Sequence, residues 1–457
     1  MAERADVLVA GAGPSGILAA ISAAREGARV LLIEKNGILG GMNTAAMVCP
    51  LMGFHAGQTQ VVAGLAQNVI DRLVERGGSL GHLPDPLGVT GSITPIDPTA
   101  LKQVYFDMLR EWPNIGLRLH TMLYRVTAEG GTVKSVGTAS KSGAQEHEAT
   151  VFIDATGDGD LAAFAGLPFS VGRAADGSSQ PMTMLFTVGG VDFVKVRAMM
   201  RAHPEQFILG AGVGDMPYVA VSGFFDAVAQ ARRTGVLTVQ RDRVLFFQGV
   251  HPGEAIVNMT RVIRRSGVDA VALSRAEAEG RGQIDEIMRF LKQSVAGFEE
   301  ARLLESADCI GVRESRHIHG LYTLTGEDVL SCRTFGDSVA ICAFPIDIHD
   351  PAGQGLQCLS TGSGCCYDVP YRVMAPCGAN NLLVTGRCVS ATHEAAASVR
   401  ITPTAMALGE AAGIAAAAAA KRGLAVCDID VGALQRRIAM FGGIPGRGFL
   451  PHSSPAL

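Results

Sequence analysis

Ala5–Lys35 reads ADVLVAGAGPSGILAAISAAREGARVLLIEK. Asp6 to Ala10 is an apolar run of strand length that breaks at Gly11-Ala12-Gly13-Pro14-Ser15-Gly16, a complete G-x-G-x-x-G. A small-residue helix is predicted to about Glu26, Gly27 turns the chain, and Arg29 to Ile33 forms a second strand ending at Glu34. Each glycine has its own task. Gly11 permits the tight turn, Gly13 lets the backbone approach a pyrophosphate, and Gly16 lets helix and strand pack closely. The helix N-terminus offers free N–H groups and the positive end of its dipole. Glu34, eighteen residues beyond Gly16, is placed to accept the two hydroxyls of an adenosine ribose. The unit is a dinucleotide pocket, and alone it leaves the dinucleotide open.

The chain has 457 residues, 48% of them hydrophobic and 18% charged, which suits an ordered globular protein with a large core. A net charge of −4 with no basic stripe argues against nucleic acid and anionic membranes as partners. No charged and apolar leader precedes the first strand, so the expectation is a cytoplasmic protein. Ala405 to Ala420 is long and apolar but rich in alanine and glycine and contains Glu410. It is predicted as a buried helix rather than a membrane span. The ten cysteines read as reduced thiols. Cys358, Cys365, Cys366, Cys377 and Cys388 cluster, but their spacing fits no zinc or iron–sulfur pattern, so no metal is expected.

Glycine punctuation recurs later. A strand over Thr150–Asp154 ends in Ala155-Thr156-Gly157. A late strand ends at Thr385-Gly386-Arg387, and Ile401-Thr402-Pro403-Thr404 opens an Ala-rich helix to about Lys421, with Thr402 or Thr404 as its cap. Three such signals in this order favour FAD over NAD, the last placing a helix N-terminus at the flavin end. Helices are also expected over 63–76, 100–111 and 274–290, and strands over 117–126 and 133–139.

Three further stretches carry a resemblance: Gly311-Val312-Arg313-Glu314-Ser315-Arg316-His317-Ile318-His319-Gly320 with Tyr322-Thr323-Leu324 and Asp328-Val329-Leu330; Tyr367-Asp368-Val369-Pro370-Tyr371-Arg372; and Gly386 to Ala395 running on through Ser398-Val399-Arg400 to Thr404. With the glycine motifs, these resemble the FAD-dependent oxidoreductases of the glutathione-reductase-like superfamily, within a mostly uncharacterised bacterial subgroup. The resemblance implies an α/β fold: a three-layer Rossmann-like FAD-binding domain with a parallel central sheet, residues 1–166 and 371–457, carrying an inserted α+β substrate domain, residues 167–370. It implies tightly held FAD and hydride exchange with a small-molecule substrate.

Carried over, Gly11, Gly13, Pro14, Ser15 and Gly16 hold the pyrophosphate, and Glu34 and Lys35 lie at the ribose. Gly41, Met42, Asn43 and Thr44 follow the pyrophosphate and ribityl. Val126, at a strand end, meets the adenine. Ala155, Thr156 and Gly157 close over the adenosine half, and Gly386, Arg387, Pro403, Thr404 and Ala405 lie near the ribityl and the pyrimidine edge. The chain departs from the superfamily's dithiol reductases, because Cys49 stands alone where they keep a pair. For the reacting groups the candidates are Arg313, Arg316, His317, His319, His393 and Arg400. Histidine suits the base that takes an O–H or N–H proton while hydride leaves, and arginine suits an anionic substrate group. His55 and His349 are weaker candidates. Arg313-Glu314-Ser315-Arg316 has a rival reading as an internal salt-bridge corner, and Asp350-Pro351 with Gly353-Gln354-Gly355 suggests a loop over the site or a plain surface turn. An NAD-dependent dehydrogenase and an electron-transfer subunit are the alternative functions, and a homo-oligomer is left open.

Overall fold

Ala5–Ala10 lies at the middle of a seven-stranded sheet whose neighbours are drawn from both ends of the chain. The computed structural model describes residues 4–210, 216–350, 356–359, 362 and 364–450; the 351–355 part of the suggested loop lies outside them. On one side the first strand pairs in parallel with Val30–Ile33, which pairs in parallel with Ile115–Arg118. On the other it pairs with the twelve-residue strand Gly143–Asp154, whose last residues also run parallel to Leu382–Val384. The first half of that long strand pairs instead with the antiparallel hairpin Thr132–Ser140 and Met122–Glu129. One strand thus joins the parallel core to the meander. Its sequence changes accordingly, from the polar Gly143–Glu148 to the apolar Val151–Ile153.

Helix Pro14–Arg25 packs lengthwise on helix Thr402–Arg422. A Cβ at Gly409 would collide with the Ser15 carbonyl, and one at Gly413 with that of Ala19, so these glycines set how closely the two axes approach. The buried ion pair Arg25–Glu410 (2.8 Å) closes the far end. Thr402–Arg422 is apolar enough by composition to cross a membrane, but 83% of its apolar window is buried within the protein. Between Asp154 and Leu382 the chain builds a second, wholly antiparallel sheet in the order 220–223, 244–248, 255–257, 186–189, 302–306. Helix Ala270–Ser294 extends beyond the expected 274–290, capped by the Asp269 side chain on Ala272 N–H.

Several expectations are corrected. The strand expected over 117–126 is two strands. It breaks at residues 119–121, where His120 takes a left-handed φ of 51° and Thr121 N–H donates to the Glu34 carbonyl. Val126 therefore lies inside Met122–Glu129, not at a strand end. Neither threonine caps the Ala-rich helix; its N-cap is Ile401, because Thr402 Oγ1 accepts from Asn43 Nδ2 (3.1 Å) and Thr404 Oγ1 donates to the Ile341 carbonyl (3.3 Å). The cysteines are not all reduced either: Cys332 and Cys365 are disulfide-bonded across 33 positions, a pairing set by tertiary approach that spacing did not reveal.

Candidate functional site

The glycine loop is built mostly from backbone. Gly11 has φ of +97°, and a Cβ there would strike the Ala155 carbonyl; a Cβ at Gly16 would strike the Gly11 carbonyl. Gly13 faces open space, as a backbone meant to approach a phosphate requires. Gly41 starts a short 3-10 turn, and a Cβ on it would come within 3.0 Å of Gly13 Cα. Ser15 Oγ and Thr385 Oγ1 share a hydrogen bond of 2.7 Å, and Gly386 passes beside Ser15. Asn43 reaches Thr402 and the Val48 carbonyl through Nδ2, yet its buried Oδ1 has no partner among the described residues. Segments 11–16, 41–44, 385–386 and 402–404 thus converge, leaving an open backbone face at Gly13 and a free buried acceptor, features that fit a bound dinucleotide.

Glu34 is buried, accepting from Ala12 N–H and Asn36 N–H at 2.8 Å each, so it braces the glycine loop as well as ending its strand. Lys35 is exposed. Asp154 is buried; burial raises its pKa to about 6, against hydrogen bonds from Ala162 N–H and from the backbone and hydroxyl of Thr156. The Thr156 hydroxyl is thereby engaged within its own loop, donating to Asp154 and accepting from Asp160 N–H (3.0 Å). Arg387 clamps that loop through Asp158 Oδ1 and Ser315 Oγ (2.8 Å each), and Arg316 clamps it through Asp160 (2.8 Å) and the Asp158 carbonyl (3.0 Å).

Glu314 is the residue that sequence reading underrated. No salt-bridge corner forms within 313–316. Glu314 Oε1 instead accepts from His317 Nε2 (2.9 Å) and from His393 Nδ1 (2.8 Å), and Oε2 accepts from Gln180 N–H (2.8 Å). Burial pushes the Glu314 carboxyl up, but hydrogen bonds from the two histidines outweigh it and bring its pKa down to about 2. An ionised carboxylate only accepts, so both imidazoles must donate to it. In the uncharged form of His393 this fixes the tautomer and puts a lone pair on Nε2, for which no partner lies among the described residues. Thr392 caps helix His393–Val399 and so sets His393 at its first position. His319 is exposed and stands apart from this group, while Arg316 is committed to the 158–160 loop.

A second group adjoins the first through Gln180, whose Oε1 accepts from His349 N–H (3.5 Å). His349 Nε2 lies 3.3 Å from Asp347 Oδ2, and Arg400 Nη2 lies 4.0 Å from the same oxygen. Arg313 Nη1 donates to the Pro181 carbonyl (2.6 Å) and to Thr183 Oγ1. Arg241 donates to the carbonyls of Met259 and Asn258 (3.1 Å each). Burial, then repulsion from Arg400 and Arg241, lowers the Arg313 pKa well below its ordinary value; burial, then Arg261, lowers Arg241 to about 9. Burial, then Arg313, lowers His349 to about 3, so it is neutral at pH 7. Asp347, Gln180, Arg241 and Arg261 had no local motif to mark them. Cys49 is buried, which pushes its thiol pKa up and disfavours a thiolate.

A family model described as FAD dependent oxidoreductase matches residues 6–438. The solved p-nitrophenol 4-monooxygenase of Pseudomonas putida DLL-E4 superposes with a TM-score of 0.50 at 12% identity, over 100% of this chain and 91% of that one. A geranylgeranyl bacteriochlorophyll reductase-like protein of Thermoplasma acidophilum gives 0.49 at 14% identity, over 96% and 83%. At such identities the likeness is one of fold. The thiamine thiazole synthase of Aeropyrum pernix is 58% identical over 38 residues, which is 8% of this chain and 14% of that enzyme's length. The match across nearly the whole chain makes this an oxidoreductase with FAD as its cofactor, and the chain belongs to the FAD dependent oxidoreductase family.

Proposed function

We propose that this enzyme moves a hydride between a small organic substrate and FAD, with His393 as the general base, within the glutathione-reductase-like superfamily. The pyrophosphate is held by Gly11, Gly13, Ser15 and Gly16, and the ribityl and flavin by Gly41, Asn43, Gly386 and the start of helix Thr402–Arg422. Residues 167–370 serve as the substrate domain. Bound FAD supplies the two-electron acceptor. The protein's own task is the proton. As a C–H bond beside a hydroxyl or amine gives up its hydride, His393 Nε2 takes the O–H or N–H proton, leaving a carbonyl or imine. Glu314 holds the imidazole in the tautomer that has this lone pair and stabilises the imidazolium that forms, which makes it a positioning residue.

The observation that carries the reading is the single Glu314 oxygen shared by His317 and His393. The test is anaerobic exposure of the flavin-loaded protein to a panel of small alcohols, hydroxy acids and amines while the visible band is followed. Bleaching by one of them without added nicotinamide supports the reading. Reduction by NADH or NADPH alone would overturn it.

A further inference from the structure

The second charged group contains arginine hydrogens that no acceptor among the described residues takes. Arg400 donates no hydrogen bond among them; Asp347 lies 4.0 Å away, Glu314 attracts it as well, and its buried Nε has no partner among the described residues. Arg313 uses Nη1 alone, leaving Nε and Nη2 without acceptors among the described residues. Behind them, Arg241 and Arg261 are buried and donate to backbone carbonyls, and Asp242 and Asp347 attract both of them. The neighbouring acids have other partners as well. Asp242 is chelated by Arg243 (2.8 and 2.6 Å), Glu314 holds two histidines, and Asp350 has Arg173 at 4.0 Å. A second observation is independent of charge: Gln180 Nε2 and His349 Nδ1 are partnerless on side chains only 2% and 5% exposed. Both lie on the path that joins Asp347 to Glu314.

This cluster adjoins the segments proposed to hold the flavin. Arg400 is followed by Ile401 and by Thr402, which Asn43 holds, and a Cβ on Gly311 would touch Ala46 and Val48 just past the 41–43 turn. The pyrophosphate of FAD has its own seat at the glycine loop, so the anion that answers this charge is a different one. We propose that Arg313 and Arg400 seat an anionic group of the substrate, a carboxylate or a phosphate, and hold its neighbouring carbon beside His393. The inference rests on the hydride-transfer reading for its purpose but not for its test. The guanidinium fork makes paired, charge-assisted hydrogen bonds to either group.

The FAD-loaded protein is titrated calorimetrically at low salt with sodium oxalate, with inorganic phosphate, and with uncharged oxamide. One anion is expected to bind saturably at one site per chain, and oxamide not at all. Oxalate binding identifies the carboxylate source, phosphate binding the phosphate source. Arg400→Gln and Arg313→Gln should each weaken that anion about tenfold or more, with flavin content unchanged. Asp347→Asn should tighten it, because the competing negative charge is gone; a purely structural role for the cluster predicts loss in all three variants. Binding by neither anion, equal binding of oxamide, or indifference to both arginine variants overturns the proposal. Anion binding without flavin bleaching by any substrate would leave the seat standing and defeat the hydride reading, and bleaching without anion binding would do the reverse.

Discussion

At the pyrophosphate end, recognition is made from backbone and missing side chains: Gly11 and Gly16 leave no room for a Cβ, Gly13 is open, and the charged residue Glu34 spends both its oxygens on backbone N–H groups. At the reactive end, charge does the work, and it is gathered from residues 180, 241, 261, 313–317, 347–349 and 393–400. The first region's strand, turn, helix and acid follow one another within about thirty residues, with Ala155 walling Gly11 from outside, so its spacing gives most of its geometry. The second depends on which distant segments the second sheet and the last helices bring together. The proposed phosphate seat and the proposed proton-transfer site should thus fail in different ways when altered, and that difference is testable.

The largest effect is expected at the reactive end. Glu314→Gln removes the charge that fixes both histidines, so flavin reduction by substrate should slow about 10²–10⁴-fold while flavin content stays at the wild-type level. Stopped-flow reduction beside the ratio of flavin to protein absorbance checks this, and lost flavin would blur the division between the two ends. Gly16→Val does the converse. Its side chain would overlap the Gly11 carbonyl, and overpacking of about 1–3 kcal/mol should lower FAD affinity roughly 10- to 100-fold. Equilibrium dialysis of refilled apoprotein measures it. Glu34→Ala removes two hydrogen bonds that brace the glycine loop, together with the proposed ribose acceptor, so about tenfold weaker FAD binding is expected, with the fold retained.

Acid should expose the charged end as a modest stability slope. His349, held near 3 when folded, takes up its proton more readily unfolded, so it withdraws stability as pH falls from 6.5 toward 3. Glu314, depressed to about 2, adds a further loss as pH falls from 4.5. Asp154, raised to about 6, acts in the opposite sense and favours the fold more at low pH. Urea midpoints between pH 7 and 4 should therefore fall on acidification, and less steeply in His349→Gln.

The sequence made the glycine loop, Glu34 and the strand–turn at Asp154–Gly157 legible because strand, turn and helix are consecutive there. It also supplied His393, His317, Arg313 and Arg400 as candidates, but not their connections. Glu314 entered only through the rival reading of 313–316 as a salt-bridge corner, which adjacent charges suggest; its partners lie instead at positions 180, 317 and 393. Arg316 and Arg387 were named as site residues without any sign that they also bind the 158–160 loop. Asp347 and Arg241 had no periodic or motif signal, since their meaning comes from the tertiary approach of segments far apart in the chain.

The most direct test compares anaerobic flavin bleaching in the wild type and in His393→Gln, at matched flavin content, with whichever small substrate reduces the wild type. The account predicts that His393→Gln keeps its flavin and bleaches on the order of a hundredfold more slowly. Equal rates in the two proteins would contradict it.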